Sequence, residues 1–285
     1  MRIPPTPPPT SLLCACLLLA AAACKPDAPD SSAGQDNASR AATPDPLPTT
    51  EAEFLAELLP LPTDAGAIEI RYAVTGPALE GELTMLVREG GYKRETWELR
   101  TTGTPTPLRS AGLTIVNPEH IWTKPEGQPG QLRSHDLGAL GRAWSGLEPD
   151  QRDAVATALR DWHGLLAKRR AEVPGDQTRI LDVACLQTRV AAQNLCLWEE
   201  AGLFLRYEGS AFTIEAESID RAPAVSADAF ALPAEAKAAT PVPAPKVDIA
   251  AALEQAATGN FGELFLLTAQ IQAPPDVRAP TETPG

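Results

Sequence analysis

Histidine is scarce in this chain. Three occur, His120, His135 and His163, each alone in its stretch. No HExxH, GxSxG, Walker or GxGxxG pattern occurs, so zinc-hydrolase, serine-hydrolase and nucleotide-binding chemistry leave no signature. His163 follows Trp162 on a helical stretch and reads as a surface residue rather than a ligand. Glu199 and Glu200 adjoin. On a strand they would point to opposite faces and make a poor acid/base pair. These absences argue against an enzyme and against a bound cofactor or metal. Positive charge is also short. Lys and Arg number 24 against 37 Asp and Glu, a net charge of −13, which disfavours nucleic acid as a partner. Beyond the N-terminus no apolar run is long enough for a membrane-spanning helix.

The N-terminus itself is apolar. Arg2 and the prolines between Pro4 and Pro9 lead into a run from Leu12 to Ala23, which ends Ala21-Ala22-Ala23-Cys24. That run suits the core of a signal peptide and is too short to span a bilayer as a helix. Small residues before a cysteine resemble the bacterial lipobox, although Ala21 stands where leucine is commoner. The expectation is a signal peptide over 1–23 and a mature chain that begins at a diacylated Cys24. Two acyl chains anchor a protein stably. Lys25 follows, not aspartate, so the expected location is the periplasmic face of the outer membrane. Cys14 and Cys16 leave with the signal. Cys185 and Cys196 remain, and an even pair in an oxidising compartment reads as one disulfide. Two independent buried thiols are the alternative.

Composition divides the mature chain. Residues 24–49 are rich in Pro, Ala, Ser and Asp and read as a disordered tether. A Pro/Ala stretch over 234–247 reads as a linker, and 248–285 as a short apolar helical segment with a loose end. The globular domain is therefore expected over 50–233, long enough for a real core. Beyond the linker, Ile249, Leu253 and Ala256 have helical spacing after a possible Asp248 cap. The apolar cluster from Phe261 to Leu267 wants a partner, either the domain or another protein.

Within the domain, Thr50-Glu51-Ala52-Glu53 is a capping-box pattern before the stripe Phe54, Leu55, Leu58 and Leu59. Pro60 and Pro62 end that helix. Alternation then predicts antiparallel strands at Ile68–Val74, Leu83–Val87, Trp97–Leu99, Leu113–Val116 and His120–Thr123. A weak helical segment covers about 137–146. After Pro149 the spacing Val155, Leu159, Trp162 and Leu166 marks an amphipathic helix. Strands return at about 178–190, 194–199, 203–208 and 211–219. The order argues for an α+β fold with a single large antiparallel sheet.

Several segments suggest a family: Cys185-Leu-Gln-Thr-Arg-Val, Leu195-Cys-Leu-Trp198, Leu203-Phe-Leu-Arg206 and Phe212-Thr-Ile-Glu, closing near Phe230-Ala-Leu-Pro233. With the opening helix, Ile68-Glu-Ile70-Arg-Tyr72 and the Gly76-Pro77 turn, they resemble the LolA/LolB/LppX type of bacterial lipoprotein domain. The resemblance covers about 50–233 and leaves out the chain beyond Lys246. It implies an unclosed β-barrel wrapped around helices, with a hydrophobic cavity that takes a lipid or lipoprotein acyl chain. The candidate cavity residues are Ile70, Tyr72, Val74, Leu83, Met85, Val87, Trp97 and Leu99 on three strands, extended by Ile115, Trp122, Phe212 and Ile214. Val155, Leu159, Trp162 and Leu166 face them from the helix. The competing reading keeps the same side chains as a filled core, in a tethered envelope sensor or protein-interaction domain.

Overall fold

The computed structural model describes residues 46–172, 178–190, 193–243 and 247–272. The expected signal peptide, Cys24 and almost all of the expected tether lie outside the described residues. The described residues from Pro48 onward belong to one compact unit.

Helix α1 (Glu51–Leu58) starts as its sequence dictates. The Thr50 side chain accepts from the Glu53 backbone N–H, and the Glu53 carboxylate accepts from the Thr50 backbone in return. Two orphan donors of the first turn are thereby satisfied. Six strands follow: β1 (Ala67–Thr75), β2 (Leu79–Arg88), β3 (Tyr92–Thr101), β4 (Arg109–Val116), β5 (His120–Pro125) and β6 (Gln131–Ser134). Helices α2 (Leu137–Ser145) and α3 (Pro149–Glu172) intervene. Five strands return: β7 (Thr178–Ile180), β8 (Val183–Val190), β9 (Gln193–Trp198), β10 (Leu203–Glu208) and β11 (Thr213–Asp220).

All eleven strands form one antiparallel sheet in the order β6-β5-β4-β3-β2-β1-β11-β10-β9-β8-β7. It is not closed, since β6 and β7 are its two ends. The first and last strands meet in the middle, with Val74 opposite Ile214. The stretch 178–190 is two strands rather than one. Leu181 and Asp182, at φ 51° and 63°, turn the chain between them.

One face of the sheet carries the main core. Ile68, Ile70, Tyr72 and Val74 of β1 and Leu83, Met85 and Val87 of β2 alternate inward, and α1, α2 and α3 pack on them through Phe54, Trp144 and Leu159. Phe54 stacks on Trp144 with ring centroids 4.6 Å apart. The same core continues past residue 233. Helix α5 (Ile249–Ala257), capped by Asp248 Oδ1 accepting from Ala251 N–H at 3.1 Å, adds Ala252, Leu253 and Ala256. Helix α6 (Gly262–Gln272) adds Leu264, Leu267 and Ile271.

A second, smaller cluster occupies the opposite face. Ile115, Trp122 and Leu132 pack there under the short helix α4 (Ala234–Lys237). This corrects the expectation that Ile115 and Trp122 extend the inner apolar face. Their neighbours Val116 and Ile121 are the inward residues, and adjacent residues on a strand point to opposite faces. Beyond α4, Val242 bridges to β6: its N–H donates to Leu132 O, and its carbonyl accepts from Ser134 N–H. That contact covers part of one sheet edge.

Candidate functional site

The sheet and helices leave a cleft of about 540 Å³ at one end, within the range of ligand pockets. Five parts of the chain wall it: the end of α1 and the segment after it, with Leu58, Leu59 and Leu61; the end of β2 with Val87; the second half of α3; the β9–β10 turn with Glu199, Glu200 and Ala201; and Phe265 and Ile271 of α6. Prolines explain why α1 stops there. Pro60 and Pro62 cannot continue a helix, so Leu59 and Leu61 turn into the cleft instead of adding a further turn.

Several polar groups of the wall are engaged by neighbouring residues. The Arg160 guanidinium pairs with the Glu57 carboxylate. His163 Nε2 lies 3.1 Å from Glu57 O, so this residue anchors α3 to α1 instead of facing solvent freely. Arg88 lies over the rings of Tyr92 and Phe230, at 4.0 and 4.9 Å from their centroids. Trp198 Nε1 donates to Glu200 Oε2 at 3.4 Å. The indole of Trp162 packs against Phe261 and Phe265, with centroids 5.8 and 5.9 Å away.

Of the cavity residues expected from sequence, Val87, Trp162 and Leu166 line this cleft. Ile70, Tyr72, Val74, Leu83, Met85, Leu99, Val155, Leu159 and Ile214 are each 1 % exposed or less. They pack among themselves in the main core, with Trp97 and Phe212 half-buried against it. Ile115 and Trp122 are on the other face.

Cys185 and Cys196 are brought together. Their sulfurs lie at bonding distance across β8 and β9, with Cα atoms 5.3 Å apart. Cys196 stands opposite Gln187, so the link is diagonal. It braces the strand that leads into the cleft's β9–β10 turn.

One feature of the interior is not among the candidate residues of the sequence. Lys93 and Glu95, on β3, are buried at 3 % and 4 % exposure. Lys93 Nζ lies 3.0 Å from Glu95 Oε1, a charge contact rather than a well-aimed hydrogen bond. The signal was available: if Trp97 and Leu99 face inward, the period of two turns Glu95 and Lys93 inward as well. Nearby, Tyr72 donates to Phe204 O at 3.0 Å. Burial, with Glu95 beside it, pushes the Tyr72 phenol well above its ordinary range. His135 sits between two carbonyls, with Nδ1 2.8 Å from Asn117 O and Nε2 3.2 Å from Leu267 O of α6. Burial holds its imidazole below the usual value, opposed by those two carbonyls.

Among the described residues no group of three His, Cys, Asp or Glu could hold a metal ion. No family model matches this sequence, and no curated protein matches it.

Proposed function

We propose that this protein is a membrane-anchored lipoprotein that binds a hydrophobic ligand, a lipid or the acyl chain of a lipoprotein, between its sheet and its helices. In this reading the chain is exported, cut before Cys24 and lipidated there, and the sheet curves as an unclosed barrel around the helices. The observation that carries it is the cleft. Leu58, Leu59, Leu61, Val87, Leu166, Phe265 and Ile271 converge on one opening from both layers. An acyl chain gains roughly 0.8 kcal/mol per buried methylene and needs no dedicated ion pair to bind.

A second reading has its own support. Most of the inner face is densely packed, which suits a tethered sensor or interaction domain with a filled core. Displacement of a fluorescent fatty acid separates the two. In the Cys24→Ala protein the probe binds saturably, and Val87→Trp, which narrows the cleft, abolishes binding. Leu165→Trp, at a position 63 % exposed on α3, leaves it intact. Absence of binding by the folded parent protein favours the sensor reading. Anchoring is tested separately, because Cys24→Ala shifts the protein from the membrane to the soluble fraction if Cys24 carries the lipid.

A further inference from the structure

Gly138, Gly141 and Gly164 lie within helices, where glycine is a poor choice: it gives up more backbone freedom than any other residue and propagates a helix badly. Packing accounts for the two in α2. A Cβ at Gly138 would fall 2.2 Å from Glu119 Oε1, and one at Gly141 would fall 2.5 Å from Glu51 Cγ. Gly164 of α3 has no such cause. A Cβ there meets no atom of the described residues within 4 Å, its chain neighbours and helix backbone aside. Alanine would fit and would serve the helix better.

The position faces the cleft. Arg160, His163, Gly164 and Ala167 all line it, and spacings of three, four and seven residues put them on one face of the helix. A side chain at 164 would therefore project into the cleft. The adjacent turn is tied to α1: Arg160 pairs with Glu57, and His163 Nε2 lies 3.1 Å from Glu57 O. With that spacing held, the residue at 164 sets the room left beside the α3 wall. We propose that Gly164 is the specificity-determining residue of the cleft: its missing side chain admits an acyl chain that carries branches, and a larger residue there confines the cleft to straight chains. This rests on the hydrophobic-ligand reading above and adds to it the shape of the chain.

The test uses the Cys24→Ala protein and a fluorescent fatty acid, displaced by hexadecanoate or by phytanate, the same chain with methyl branches along its length. Both compete in this parent. Gly164→Leu weakens phytanate relative to hexadecanoate by about tenfold, the affinity of two branch methyls kept out of the apolar wall. Gly164→Ala moves the same ratio in the same direction by a smaller factor. It also melts above the parent, because the added methyl enters open space on a helix. That variant keeps the test independent of how well leucine is accommodated. Leu165→Phe, one position away and exposed on α3, leaves the ratio unchanged. Failure of phytanate to compete where hexadecanoate does, or an unchanged ratio in both Gly164 variants, overturns this proposal and leaves the hydrophobic cleft standing. So does a Gly164→Ala protein that melts below the parent, since packing would then demand the glycine. No displacement by either competitor in the parent overturns the hydrophobic-ligand reading and this proposal with it.

Discussion

Lys93 and Glu95 are two charges sunk in an apolar face, and each makes the other tolerable. Removing one partner of a buried pair leaves a charge without compensation, which costs about 3–5 kcal/mol. Lys93→Ala should therefore lower the unfolding free energy by about that amount in chemical denaturation. Replacing both, as Lys93→Met with Glu95→Leu, should be close to neutral, because the desolvation cost disappears with the pair. A single variant no worse than the double would show that the pair is not energetically coupled. His135 makes a second prediction. Its folded-state pKa lies below the ordinary 6.5, with burial the largest cause. Below that value the unfolded chain takes up a proton that the folded chain resists, so stability is present above pH 6.5 and is lost as pH falls. Denaturation midpoints measured across that range should fall less steeply in His135→Gln than in the parent.

At the scale of elements, the turn between β7 and β8 stores strain. Leu181 and Asp182 both hold left-handed backbone, which costs a residue with a Cβ roughly 1–2 kcal/mol. Asn-Gly is the favoured pair for such a two-residue turn. Leu181→Asn with Asp182→Gly should raise the unfolding free energy by about 1–2 kcal/mol. The loss of apolar contact is small beside the gain, because Leu181 is 45 % exposed. No gain would mean that the turn is fixed by the strands beside it. This turn also shows where sequence stops informing structure. The capping box of α1, the Asp248 cap of α5 and the alternation of β1 and β2 were legible because each is a local pattern with a local cause. Leu181-Asp182 carries no turn signature, so β7 and β8 read as one strand. Ile115 and Val116 are both apolar, and only the pairing of β3 with β4, which sets Ile115 opposite Arg94, decides which one faces the core. Register is a long-range property, and a slip of one residue exchanges the faces.

For the whole molecule, the apolar inner face that the sequence displays is divided between two uses. Its centre packs as core, closed in part by α5 and α6 from beyond the Pro/Ala stretch. At its margin, where β2, the β9–β10 turn and three helices diverge, a cleft stays open. No composition rule separates these uses, because a filled core and a ligand cavity need the same side chains. The measurement that tests the central claim most directly is quenching of tryptophan fluorescence by an acyl ester brominated along its chain, titrated into the Cys24→Ala protein. The chain has five tryptophans, and of these only Trp162 lines the cleft. Binding there predicts quenching that saturates at one ester per protein and disappears in Trp162→Phe. Quenching that never saturates, or that persists unchanged in Trp162→Phe, would contradict it.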